Sequence, residues 1–502
     1  MLQRIKFLII TAITIVVAVS CSTDFLEVEP KGLPLEVNYY KTEEEAKAGL
    51  IAVYDLMRKN SGGFENMITM FNAGSDDHFA GGGGPSDGAG IQSFSNYTID
   101  ANTVPRSFWS DYYRGIYRAN ILLQKLPDVP MDVAVKARFT AETKALRAFY
   151  YFNLVNMFKN VPLILTPLAA SEIYTVTQAK PEDVYKQIEL DLTSAISSLP
   201  ATINKSVDGG RFTKGAAQAL LGKVYLYQGK NALAATQFLE VNGTPGGVNQ
   251  YGNRLLANFN DLWLVSSKFN TESLLEVSHS SQNSHWGIWG GNADEGNTVN
   301  VMVGPRSYSK PVGSPAPDLP SGWSFNVITQ EFYDVIKTDP RFGATVLDLK
   351  ALKAAGQASY FSGHMDTGYF LNKFIPRRSD VYSGGGDAVL NYKQNTYAIR
   401  LADTYLMEAE ALGGTGARAQ ALLDAVRARI GLPSIPVSLN AIADERRLEL
   451  AGEGFRFFDL VRTGKAAAEL SGRGFVAGKN EIFPIPYREL ENTKLAQNPN
   501  YN

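Results

Sequence analysis

Trp286 and Trp289 stand three residues apart in Ser284-His285-Trp286-Gly287-Ile288-Trp289-Gly290-Gly291, a setting too rich in glycine for a buried helix. Indole faces on such a backbone suit a ligand with apolar C–H faces edged by hydroxyls, and neighbouring Asp, Asn and Gln suit the hydroxyls. Trp323 lies in the same irregular stretch; the competing role for these rings is to pin a long loop to the body. A second grouping, Asp76-Asp77-His78-Phe79, sets three polar side chains on an irregular backbone. They could converge on a polar ligand or a cation, or serve as turn residues. Trp286, Trp289, Trp323, Asp76, Asp77 and His78 are therefore the candidate ligand-binding residues.

Other chemistries find less support. The remaining histidines, His279, His285 and His364, make no His-x-x-x-His spacing, so no metal or cofactor is expected. There is no Gly-x-Ser-x-Gly elbow, and the glycine runs at 81–84 and 384–386 lack the Lys-Ser or Lys-Thr of a phosphate loop. Carboxylates crowd Asp444-Glu445-Arg446-Arg447-Leu448-Glu449 and the run from Gly452 to Arg462, but each has an arginine within a few residues. Such pairing lowers a carboxylate pKa, the wrong direction for a general acid, so the run reads as a structural ion-pair network and no catalytic residue is assigned. Lys+Arg 48 against Asp+Glu 50 leaves a net charge of −2, which gives no field favouring nucleic acid.

The elements that must position these residues fall into blocks. Arg4 and Lys6 precede an apolar stretch, Phe7 to Val19, shorter than the roughly 20 residues a bilayer span requires. It runs through Ala18-Val19-Ser20 into Cys21, the only cysteine. This resembles a bacterial lipoprotein signal, with Ala18 where leucine is usual: residues 1–20 are expected to be removed and Cys21 acylated as a membrane anchor. Residues 21–40, with Pro30 and Pro34, read as an extended lead-in. Residues 41–241 read as a helical scaffold opened by the capping box Thr42-Glu43-Glu44-Glu45 and interrupted by an irregular insertion at 60–105. Its later helices are expected at about 106–125, 133–159, 180–199, 213–228 and 231–241. Residues 242–395 form a second irregular portion carrying four of the five tryptophans, and 396–502 return to helical scaffold and a tail. Leu221-Gly222-Lys223-Val224-Tyr225 with Ala234 and Phe238 reproduces tetratricopeptide spacing, and Ala409, Leu412, Ala421 and Ala425 repeat it more loosely. The expected fold is mostly α: tetratricopeptide-type helical pairs with long irregular insertions forming a ligand-binding portion.

The chain resembles the SusD/RagB family of outer-membrane nutrient-binding lipoproteins over nearly its whole length. The residues carrying the likeness are Cys21 with Asp24-Phe25-Leu26-Glu27, the Thr42 to Tyr54 helix, Trp109 to Asn120, and Glu142 to Pro162. Gly210 to Ala217, Asp339-Pro340-Arg341-Phe342, Arg400-Leu401-Ala402-Asp403, Glu445 to Arg462, Phe483-Pro484-Ile485-Pro486 and Gln497 to Tyr501 complete it. The resemblance implies a protein without enzymatic activity, lipid-anchored and surface-exposed, that captures an oligosaccharide or polysaccharide as the lid of a SusC-like TonB-dependent transporter. Some family members bind peptides, so a peptide-binding lid is the alternative; a glycoside hydrolase on a helical frame is another, and would need two carboxyl groups roughly 5 to 10 Å apart in a cleft. The shared motifs lie in the scaffold, so the family transfers no ligand-contacting residue.

Overall fold

Thr42 starts the first helix, α1 (Glu43–Tyr54): its hydroxyl accepts from the Glu45 N–H at 3.3 Å, and the Glu45 carboxylate accepts from the Lys41 N–H at 2.5 Å. The Thr42 hydroxyl thus satisfies a donor that the helix start leaves open, while Glu45 reaches past the cap to the N–H of the preceding residue, so the expected capping box is half formed. The computed structural model describes residues 39–281 and 295–501; Cys21, Trp286 and Trp289 lie outside them. The first insertion contains two short helices, α2 (Met67–Ala73) and α3 (Ala89–Ser95). Then come α4 (Ser107–Lys125), α5 (Val133–Phe158), α6 (Pro181–Ile196), α7 (Lys214–Tyr227) and α8 (Asn231–Asn242), close to the expected bounds. The second insertion holds β1 (Ser273–Val277), α9 (Thr298–Val303), α10 (Gln330–Ile336), β2 (Val346–Asp348) and β3 (Tyr369–Leu371), which pairs antiparallel with β2.

Helical structure was expected to resume near Tyr397, but the chain first forms β4 (Thr396–Arg400), antiparallel to β1. Every residue of β4 is buried, so alternation could not mark it as a strand. The scaffold then closes with α11 (Leu401–Ala411), α12 (Gly416–Arg429), α13 (Leu439–Glu449) and α14 (Arg456–Arg462).

The scaffold is a stack in which α4 packs on α5, α5 on α6, α6 on α7, α7 on α8, α8 on α11 and α11 on α12. Small residues permit the close approach: a Cβ on Gly222 of α7 would lie 2.7 Å from the Phe238 ring of α8, and Ala234 and Phe238 are fully buried. The tetratricopeptide reading of this pair matches the geometry. The looser pair is corrected in detail, because Ala421 faces solvent and α12 buries Ala419, Leu422, Leu423 and Val426 instead.

The arginine-rich run at the C-terminal end joins insertion to scaffold. Fully buried Arg341 reaches Glu445 at 2.7 Å and Glu449 at 3.0 Å, both on α13. Arg400 pairs with Glu272 at 2.9 Å and Glu449 at 2.5 Å, and Lys373 with Glu453 at 2.9 Å. Burial opposes ionisation of Glu449, yet Arg429, Arg400 and Arg341 together hold its carboxyl well below the usual range. These carboxylates are committed to structure, as expected, although Glu445 and Glu449 pair with Arg341, Arg400, Arg427 and Arg429 rather than with the neighbouring Arg446 and Arg447.

Candidate functional site

Three stretches of the two insertions are laced together through backbone. Phe79 N–H donates to Val327 C=O at 2.9 Å, Asn326 N–H to Ala80 C=O at 2.9 Å, and Gly82 N–H to Ser324 C=O at 2.8 Å. His364 N–H reaches Gly82 C=O at 2.8 Å, and Phe361 N–H reaches Arg306 C=O at 2.9 Å. Glycine is required here: Gly81 has φ +71°, and a Cβ on it would lie 2.2 Å from the Ser324 carbonyl oxygen. Four non-glycine residues along the same lacing also hold left-handed backbone: Ser307 (φ +48°), Ser324 (+60°), Asn326 (+52°) and Met365 (+53°). Such strain persists only where surroundings over-determine it, and it concentrates at ligand clamps and active sites.

This lacing carries a surface of aromatic and polar groups. Trp323 is half-buried, its ring 6.1 Å from that of Phe64, which stands edge-on to Phe325 at 5.4 Å. Phe361 is 62% exposed on the adjoining stretch. Arg306 is fixed by donating from Nε to the Trp323 carbonyl at 2.9 Å and from Nη2 to Asp87 at 2.7 Å. The same Asp87 oxygen accepts from Gly83 N–H at 2.7 Å. Beyond Phe64 a polar cleft of about 490 Å³ includes Lys59, Glu65, Ser107 and Asp111. Aromatic faces beside fixed polar groups and a polar cleft match what a hydroxylated ring ligand needs.

The base of the segment carrying Trp286 and Trp289 adjoins this surface. Ser280 N–H donates to Glu295 C=O at 3.2 Å, and the His279 ring bridges Glu295 C=O at 2.9 Å and Ser61 Oγ at 2.7 Å. Thr298 N–H donates to Ser61 C=O at 3.0 Å, and Thr298 Oγ1 accepts from Gly63 N–H at 2.9 Å, one residue before Phe64.

The structure takes Asp76, Asp77 and His78 elsewhere. Asp77 and His78 are each 1% exposed. Asp76 is clamped by Arg456 at 2.7 Å and Arg447 at 3.0 Å, and Asp77 by Arg447 at 2.7 Å. The expectation that these three side chains meet ligand is corrected: Asp76 and Asp77 dock the first insertion onto α13 and α14 through ion pairs, and the buried His78 ring lies 6.4 Å from that of Phe332 on α10. Burial holds the His78 imidazole down to about 3, so it is neutral. Among the described residues, no group of three or more His, Cys, Asp and Glu side chains could hold a metal ion. Phe64, Asp87, Arg306 and Phe361 went unnoticed in the sequence because their juxtaposition arises from backbone pairing across hundreds of residues; only the glycine run at 81–84 marked a place of close approach.

Two family models divide the chain: one described as "Starch-binding associating with outer membrane" matches residues 24–226, and one described as "SusD family" matches 288–501. A solved structure named as a laminarin binding SusD-like protein is similar at 67% identity and a TM-score of 0.91, covering 92% of this chain and 100% of that one. Surface glycan-binding protein A from Bacteroides thetaiotaomicron, solved in complex with laminarihexaose, is 25% identical with a TM-score of 0.80, covering 91% of this chain and 99% of that one. A SusD-like protein of Bacteroides ovatus is 24% identical over 479 residues, 90% of this chain and 82% of the relative. With a scaffold of stacked helical pairs, both halves matched by family models, and a solved relative 67% identical across its whole length, the chain belongs to the SusD family.

Proposed function

We propose that this protein captures a laminarin-type glucan at the cell surface, without cleaving it, and passes it to a SusC-like TonB-dependent transporter in the outer membrane. The observation that carries the reading is the 67% identity to a laminarin-binding relative along that relative's full length. The laced aromatic surface supports it chemically: Trp323, Phe64 and Phe361 offer apolar faces, and Arg306 and Asp87 offer fixed hydrogen-bonding groups. Trp286 and Trp289, on the segment rooted at Ser281 and Glu295 beside Phe64, are proposed to supply further rings, and Cys21 the lipid anchor.

Calorimetric titration with laminarihexaose tests the ligand. Saturable binding is expected, weakened about 10-fold, or about 1.4 kcal/mol, by each of Trp323→Ala, Phe361→Ala, Trp286→Ala and Trp289→Ala. Binding that ignores all four substitutions would remove the surface, and absence of glucan binding alongside binding of a peptide library would remove the ligand class. Prolonged incubation with laminarin should release no reducing ends. Recovery of a barrel transporter with the protein from outer membranes tests the partner.

A further inference from the structure

Sharing no residue with the aromatic surface, a cavity of about 950 Å³ opens between the stretch 260–268, α9 and the stretch 372–394. Its lining is more basic than acidic. Lys268, Arg377 and Lys393 line it against a single carboxylate, Asp380. Among the described residues none of these three cations has a carboxylate within 4.0 Å, whereas buried Arg341, Arg400 and Arg429 each meet at least two. The Arg377 guanidinium donates only to neutral oxygens, Ile375 C=O at 3.1 Å and Asn372 Oδ1 at 2.9 Å, and Lys268 Nζ donates to His279 C=O at 2.8 Å. Asp380 is occupied in turn, accepting from Arg377 N–H at 2.8 Å.

The wall also has hydrogen-bonding capacity left over. Trp263 Nε1 and Asn300 Oδ1, a donor and an acceptor on two lining residues, have no partner among the described residues. Asn300 is 1% exposed and held by its amide, which donates to Phe374 C=O at 2.6 Å and Gln394 Oε1 at 2.5 Å. Unpaired buried polar atoms are costly, and both atoms are closed off from solvent behind the lining, where a small side-chain shift would let a ligand hydroxyl accept from the indole N–H and donate to the amide oxygen. Unneutralised cations in a concave wall focus a positive field on an anion.

We propose that this cavity is a second binding site, separate from the glucan surface, for an anionic saccharide whose hydroxyls meet the amide and indole wall and whose carboxylate or sulfate meets Lys268, Arg377 and Lys393. The charge could come from a uronate or from a sulfate ester, and the two are separated by experiment. The full mature chain is titrated with trigalacturonate, with a sulfated trisaccharide and with laminaritriose. Gly343 lines the cavity with open space where a Cβ would stand and no left-handed backbone, so Gly343→Phe fills the site without strain. Lys393→Glu reverses charge at an exposed position. One acidic probe is expected to bind, with affinity falling as salt rises, and to lose at least 10-fold in both variants while each variant keeps wild-type melting temperature and laminarihexaose binding. Whichever acidic probe binds names the anion. Failure of both acidic probes, equal binding of laminaritriose in this cavity, or acidic binding indifferent to Gly343→Phe and Lys393→Glu would overturn the proposal.

Discussion

Burial holds the imidazole of His279 down to about 4 and that of His78 down to about 3, against about 6.5 in an unfolded chain. The unfolded state therefore binds protons that the folded state refuses, so stability present above about pH 6.5 is lost as pH falls toward the folded value. For His279 the loss between pH 7 and pH 5 is about 2 kcal/mol. Burial acts oppositely on Asp77, whose carboxyl is pushed up to about 6 with Asp76 adding to the effect, so total stability mixes both signs. The difference between wild type and His279→Gln isolates the imidazole: in urea titrations at pH 7 and pH 5 the variant should lose about 2 kcal/mol less, and equal losses would place the proton elsewhere. The same scale explains the misreading of Asp76 and Asp77. Their arginines lie 370 and 380 residues away, far outside the few residues over which spacing pairs charges. The network of Glu445 and Glu449 was signalled by the arginines beside them, yet its actual partners Arg341, Arg400 and Arg429 stand 104, 49 and 20 residues away. Arg400→Met should cost about 3–5 kcal/mol in urea unfolding, since Glu272, Glu449 and Glu453 would be left buried with less compensation.

Helices long enough to repeat an apolar face were legible, and α4 to α8 fall within a few residues of their expected bounds. The seven-residue α2 and α3 and the three-residue β2 and β3 were not, because elements that short hold too few periods to rise above composition. What the glycines of the first insertion do separates position by position. At Gly81 a Cβ meets the Ser324 carbonyl at 2.2 Å on left-handed backbone, while at Gly84 nothing lies within 4 Å. Gly81→Ala should therefore cost about 2 kcal/mol or more and weaken laminarihexaose binding, because the lacing under Trp323 must spread. Gly84→Ala should leave both melting temperature and affinity unchanged, and equal behaviour of the two would mean the lacing does not shape the surface. In the scaffold, Gly222→Val drives two methyl groups toward Phe238 across the α7–α8 contact and should cost about 1–3 kcal/mol.

At the scale of the molecule, 48 basic against 50 acidic residues leave no net field, and a neutral glucan offers no charge to steer. Laminarihexaose affinity should then change less than about 2-fold between low and high salt, because a stacked, hydrogen-bonded contact has no long-range term to screen. Capture must consequently rely on where the protein is held rather than on attraction at a distance, and this gives Cys21 its weight. Among the described residues no helix is long and apolar enough to cross a membrane. Membrane residence is the part proposed for an acyl chain on Cys21. The chain from Cys21 to Tyr39 spans at most about 60 Å fully extended, a tether that permits the body to work above the membrane plane. Cys21→Ser should move the protein from the detergent-rich to the aqueous phase on cloud-point partitioning, while the released protein keeps its laminarihexaose affinity within about 2-fold. Retention of the serine variant in the detergent phase would mean that something other than Cys21 holds the protein at the membrane, and loss of affinity on release would mean that the binding surface depends on the bilayer for its shape.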